Sequence, residues 1–292
     1  MNERQLQAHI YNTYITLRVG LFLIALAFPI LLIVIGLFNH IDIQSSMSHY
    51  YFAFAPKGSE LRVFPTRVVF VGLLFALGVA LILYKGFTKW ENRLLNVAGA
   101  AALVAALFPM EAPDYCKINC ENIPPIFPYL YLVHPLAGVV VFGCLAIVAV
   151  FCTEETLKDL TDRDQKEGFR RYYRRIAFLM VVTIALAGGM ALYCKITDRM
   201  IFFRDGWWIF FFEGIGLWMF AAYWLVRSIE LSISQAEWSK LTGENPGIQP
   251  SERDWASIFL CWITSWLLPA SVKRILPASF VKKIEERAAE RA

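Results

Sequence analysis

Apolar residues in this chain fall in long blocks rather than at alternating positions. Six blocks are of bilayer length: Val19–Phe38, Val68–Tyr84, Leu94–Met110, Tyr129–Phe151, Ile176–Cys194 and Trp207–Val226. A hydrocarbon core about 30 Å thick takes about 20 residues of helix, and runs of roughly 17 to 25 qualify. His134 and Glu213 are the only histidine, acidic or basic residues within the six. The pattern predicts an all-α fold, a polytopic transmembrane bundle of six helices. The first block is too long for the apolar region of a signal peptide, and no small-x-small cleavage site follows it. Asn39, His40, Asp42 and Gln44 come next, so this block is expected to stay as helix one.

Composition strengthens the membrane reading: 58% of residues are apolar and the mean hydropathy is +0.50, against about half apolar in soluble domains. Charge then orients the bundle, because cytoplasmic loops carry an excess of Lys and Arg. The N-terminal arm, the second and fourth loops and the C-terminal segment hold 21 of the 28 basic residues. Both termini are therefore expected on the cytoplasmic side of the membrane. The net charge of +4 is accounted for in this way, and a basic surface for nucleic acid is not expected.

Residues 1–230 read as the membrane domain and residues 231–292 as a cytoplasmic tail. Pro29 falls inside helix one and is expected to kink it. Gly72, Ala76 and Ala80, like Ala98, Ala102 and Ala106, recur at four-residue spacing, which puts small residues on one face and lets helices two and three approach closely. In the tail, Trp255–Leu268 is apolar for 14 residues, about 21 Å of helix and too short to span comfortably. Trp255, Trp262 and Trp266, with Lys273 and Arg274 beyond, suit a helix at the interface or docked on the cytoplasmic face of the bundle.

With this topology His40, His49 and His134 fall on the outer half. Glu213 and His134 lie roughly 9 Å below the outer interface at 1.5 Å per residue. An ionisable group at that depth normally faces the bundle and has a partner. Ser46, Ser48, His49, Arg67, His134 and Glu213 are therefore the candidates for an outward-facing polar site that binds a lipid headgroup or small ligand, with Arg67 or His134 as possible partners of Glu213. Pro135 biases His134 away from helical geometry, so helix four is expected to begin near it. Cys116 and Cys120 share a short outer loop and are either a disulfide or free thiols. No metal is expected, since neither C-x-x-C nor H-x-x-x-H occurs. No cofactor is expected either, and the G-x-x-x-x-G-K-[ST], G-x-S-x-G and H-E-x-x-H motifs are missing.

Ser46-Met47-Ser48-His49-Tyr50-Tyr51 resembles the Ser-Ile-Ser-His-Tyr-Tyr signature of a family of uncharacterised bacterial multi-pass membrane proteins. Arg67 with Phe70-Val71-Gly72, Tyr84-Lys85-Gly86, Asn96-x-Ala98-Gly99, Phe108-Pro109, His134, Glu213 and Trp224-Leu225-Val226-Arg227 follow in the order of that family. The resemblance covers about residues 39–230 and implies six helices but no activity. A more distant similarity is to the ceramidase-like membrane hydrolases. Their metal site takes an H-x-x-x-H pair in the last helix, where this chain has Glu213 and no histidine.

Three functions compete on this reading: a protein that binds a lipid headgroup or small ligand, a lipid-active hydrolase using His49, His134 and Glu213 for acid–base chemistry, and a structural or assembly component of the membrane. Membrane lipids are the expected partners in each.

Overall fold

The structure is a computed structural model, and it describes residues 3–54, 64–110, 132–160, 162–197, 207–234 and 236–243. Cys116, Cys120 and the Trp255–Leu268 segment lie outside the described residues. Helix α1 spans Glu3–Phe38, α2 Pro65–Leu83, α3 Lys89–Leu107 and α4 Val133–Ile147. A π-helical turn at Val148–Cys152 links α4 to the single-turn α5, Glu154–Leu157. Helix α6 spans Arg163–Thr197, α7 Trp208–Ser234 and α8 Ala236–Thr242. The described residues are all-α, with no strand among them.

Among the described residues, five helical stretches are long and apolar enough to cross a membrane: α1, α2, α4 with its continuation through Leu157, α6 and α7. The third apolar block also forms a helix, but α3 begins with Lys89, Glu91 and Arg93 within its 19 residues. Neighbours in sequence are neighbours in space. Helix α1 packs on α2, α2 on α3, α3 on α4, α4 on α6 and α6 on α7, and α7 returns to α1. The six long helices thus close into a ring, with α3 seated between α2 and α4.

Three helices outrun their apolar blocks because a buried stripe continues past the block. In α1 the stripe starts at Ala8, Tyr11 and Ile15, well before Val19. In α6 Phe169 and Tyr173 extend the buried line of Ile176, Met180 and Ala187 back into the basic segment. In α7 Arg227, Glu230 and Ser234 continue the face of Leu217, Ala221 and Trp224. Residues three and four apart share a helix face, so burial at that spacing carries the helix through polar sequence. Helix α8 caps this end of the ring: Trp238 packs edge-on against Tyr11, and Lys240 donates to the Phe87 carbonyl at 2.6 Å.

The α2–α3 contact differs from the expected one. Ala98, Ala102 and Ala106 are buried on α3, but on α2 Gly72 is exposed and open space surrounds it. The close approach runs instead through Gly78 and Gly99. A Cβ on Gly99 would stand 2.6 Å from the Gly78 carbonyl oxygen, and one on Gly78 would stand 2.9 Å from that of Gly99. Which α2 face meets α3 is set by the rotation of the helix, not by the spacing of small residues alone.

The outward surface of the ring is apolar. Val68, Leu136, Phe151, Phe178 and Phe211 are each more than half exposed, and they come from four different helices. An apolar exterior on several faces at once is the opposite of a soluble protein's surface.

Candidate functional site

The site lies at the end of the ring where α1 finishes and α2, α4 and α7 begin. It is built by residues 39–54. His40 takes a left-handed backbone conformation at φ 56°, and the amides of Asn39 and Ile41 both return to the Gly36 carbonyl, each at 2.9 Å. This stop turns the chain back across the end of the bundle. Gly36 also leaves room for the buried Tyr50 ring, whose Cε1 would lie 3.1 Å from a Cβ there. Ser48–Tyr51 then form one 3-10 turn.

That turn and the residues just before it are gripped from three helices and from the segment that follows α3. Its preceding amide, Met47 N–H, donates to Glu213 Oε2 of α7 at 2.7 Å. Ser48 Oγ meets His134 Nε2 of α4 at 2.8 Å. The hydroxyl of Thr66 on α2 donates to the Tyr50 carbonyl at 2.9 Å, and Arg67 Nε donates to the Tyr51 carbonyl at 2.7 Å. Ser46 Oγ donates towards Met110 Sδ, just beyond α3, at 3.7 Å, and accepts from the His49 amide at 3.2 Å. The Phe210 amide of α7 donates to the Ser45 carbonyl at 2.9 Å. Ser46, Ser48, His49, Arg67, His134 and Glu213 are thus all on, or in direct contact with, one seven-residue segment.

The pairings are not those expected from sequence. Glu213 is bonded to a backbone amide rather than to Arg67 or His134. Ser45, not among the candidates, holds His49 through Oγ to Nδ1 at 2.6 Å. Burial lowers the pKa of His49 to about 4, so it is neutral at pH 7. His134 is held at both ring nitrogens, because its Nδ1 lies 2.8 Å from the Ala105 carbonyl and 3.1 Å from that of Phe108. The Arg67 guanidinium is sandwiched between the Tyr51 ring, at 4.4 Å, and the Phe64 ring, at 3.9 Å. Among the described residues no three His, Cys, Asp or Glu side chains meet as a metal site would require.

The Glu213 bond makes a stability prediction. Glu213→Leu removes the acceptor of a buried amide, which is expected to cost about 1–3 kcal/mol. Glu213→Gln keeps an oxygen that can accept from Met47 and should melt closer to the wild type in detergent. Equal melting of the two variants would mean that the Met47 bond carries no stability.

The opposite end of the ring holds a second polar cluster that sequence reasoning did not single out. Arg227 is fully buried with two carboxylates, Glu230 at 2.8 Å and Glu91 at 3.2 Å. Arg227 also donates to the Thr156 hydroxyl, and the Tyr173 hydroxyl donates to Glu230 at 3.1 Å. Glu91 is placed by its helix start: Thr88 caps α3 by accepting from the Glu91 amide at 3.1 Å, and the Glu91 carboxylate accepts from the Phe87 amide at 2.8 Å. Two local signals were legible, the Thr88-x-x-Glu91 capping pattern and the i, i+3 spacing of Arg227 and Glu230. That the two would meet across the bundle was not.

The apolar exterior and the five membrane-length helices define the class, an all-helical integral membrane protein. The chain belongs to a family described as protein of unknown function (DUF998), whose model matches residues 22–204. The match begins within α1 and ends before α7, so Glu213, Arg227 and Glu230 lie beyond it. No curated protein and no solved structure matches the chain.

Proposed function

We propose that the chain crosses a bacterial inner membrane six times with both termini in the cytoplasm, and that its outer end binds an anionic headgroup or a small anion. Support for a sixth span comes from the ring, since α3 is flanked on both sides by helices of membrane length. Lys89, Glu91 and Arg93 then sit at the inner end of α3, where a helix leaves the bilayer. The basic loops set the orientation by the positive-inside rule, which places the Ser45–Tyr51 segment outside.

The observation that carries the binding role is Arg67. Its Nε is used by the Tyr51 carbonyl and its plane is held between two aromatic rings. Among the described residues its terminal nitrogens have no acceptor. A guanidinium fixed in this way presents two parallel donors suited to a phosphate or carboxylate. Ser48, His49 and His134 are hydrogen-bonding groups on or against the same turn.

Short-chain phosphatidylglycerol, short-chain phosphatidylcholine and inorganic phosphate, added separately to purified protein in neutral detergent, test this reading. Phosphatidylglycerol is expected to raise the melting temperature where phosphatidylcholine does not, and a response to phosphate would indicate the free anion as the ligand. Arg67→Gln should weaken binding by about tenfold or more, as loss of a charge-assisted hydrogen bond does. Unchanged affinity in Arg67→Gln would remove the binding role.

A further inference from the structure

The site contains two serine–imidazole pairs, and they differ in one chemically decisive respect. In the first pair, Ser45 takes His49 at Nδ1, and among the described residues the other ring nitrogen has no partner. The tautomer of His49 is therefore set by nothing but the serine. In the second pair, His134 Nδ1 faces two backbone carbonyls, Ala105 at 2.8 Å and Phe108 at 3.1 Å. A carbonyl only accepts, so the hydrogen of the neutral ring belongs on Nδ1. Nε2 is then a lone pair, and the hydroxyl 2.8 Å away, that of Ser48, must donate to it.

This is the arrangement of an activated nucleophile: a hydroxyl on a base, and the base oriented by a third group. Here the orienting groups are main-chain carbonyls at the end of α3 rather than a carboxylate. They hold the tautomer and ring plane without adding a buried charge. Ser48 opens the 3-10 turn and keeps 9% of its surface exposed, and His134 is half-buried at the first turn of α4. The pair thus lies at the end of the bundle where α4 begins. Phe70 packs against the imidazole at 6.1 Å between ring centres, giving the base an apolar wall.

We propose that Ser48 is the nucleophile, and His134 the general base, of an acyl-transfer activity on carboxylic esters of lipids. In the first step Ser48 Oγ bonds to the ester carbonyl carbon while its proton passes to His134 Nε2. The carbon–alkoxy bond breaks and the alcohol leaves with that proton. Water then attacks the acyl carbon, giving a proton to Nε2. The Ser48–acyl bond breaks, Ser48 recovers the proton, and the free acid departs. The net reaction is ester plus water to acid plus alcohol. This inference rests on the proposed anion site only for the placement of a charged headgroup near Arg67. The chemistry of the pair does not depend on it.

An alkyl fluorophosphonate probes the pair directly, because it needs an activated serine and neither a headgroup nor a known substrate. Purified wild-type protein in detergent, treated with the probe and digested, is expected to carry the phosphonyl mass on Ser48. His134→Gln should slow labelling by at least tenfold, in line with the contribution of a positioned base, and Ser48→Ala should abolish it. Ser45 should stay unlabelled in the wild-type protein, since its imidazole partner lacks the oriented tautomer. The wild-type result alone can overturn the proposal: no phosphonylation of Ser48 in protein that melts cooperatively, or phosphonylation of Ser45 in its place, excludes Ser48 as the nucleophile. Labelled Ser48 together with unchanged anion affinity in Arg67→Gln would keep the nucleophile and reject only the headgroup site.

Discussion

Arg227→Leu is expected to destabilise the protein by about 3–5 kcal/mol, the usual cost of removing one partner from a buried ion pair. The expectation follows from what remains. Glu91 and Glu230 both have fully buried side chains, and without the guanidinium two carboxylates share an interior with no cation between them. The groups come from distant parts of the chain, α3 and α7, so the loss should loosen their hold across the ring. Thermal unfolding in detergent, followed by tryptophan fluorescence, reads the effect directly, since Trp224 lies one turn away on the same helix. Arg227→Lys should fall between wild type and Leu: it keeps the charge but has one nitrogen in place of Nη1, which serves Glu230 and Thr156, and Nη2, which serves Glu91. Combining Arg227→Leu with Glu230→Leu should cost less than the sum of the two single changes, because the second removes a charge that the first left unpaired. Additive costs, or a loss below about 1 kcal/mol for Arg227→Leu, within the range of an exposed pair, would show that the cluster does not hold these helices together.

Gly99→Val should be nearly as damaging for a purely steric reason. A Cβ at this position meets the Gly78 carbonyl oxygen at 2.6 Å and the Ile82 side chain at 2.7 Å. A backbone oxygen has no rotamer by which to move aside, so α2 and α3 must separate. Overpacking of this kind costs about 1–3 kcal/mol, and valine adds two methyl groups beyond the Cβ. Gly72→Ala, on the same helix pair but in open space, is the matched control. It should leave stability unchanged or raise it by up to about 1 kcal/mol through helix propensity. The two substitutions together separate the observed contact from the small-residue spacing that the sequence displays. If Gly99→Val melts like wild type and Gly72→Ala does not, the helices meet through the other face.

Residue hydropathy alone located the cores of the six long helices, because a run of apolar residues reports its own length and needs no neighbour to do so. Alternation of the runs also put His49, Arg67, His134 and Glu213 at one end, since successive helices reverse direction. The same reasoning could not extend to the polar ends of α1, α6 and α7. Residues 3–18, 163–175 and 227–234 are helical because Tyr11 finds Trp238, Tyr173 finds Glu230 and Arg227 finds Glu91 on other helices, and hydropathy averaged along one segment cannot see those partners. Nor could it pair the charges. Glu213 was expected to have a partner at its depth, but the rotation of α7 and the path of residues 39–54 decided that this partner is the amide of Met47. Composition and order along the chain specify which residues reach which end of the bundle. Which of them touch depends on helix rotation and register, which are set by packing over the whole ring, as at Gly78 and Gly99, and so belong to the tertiary structure.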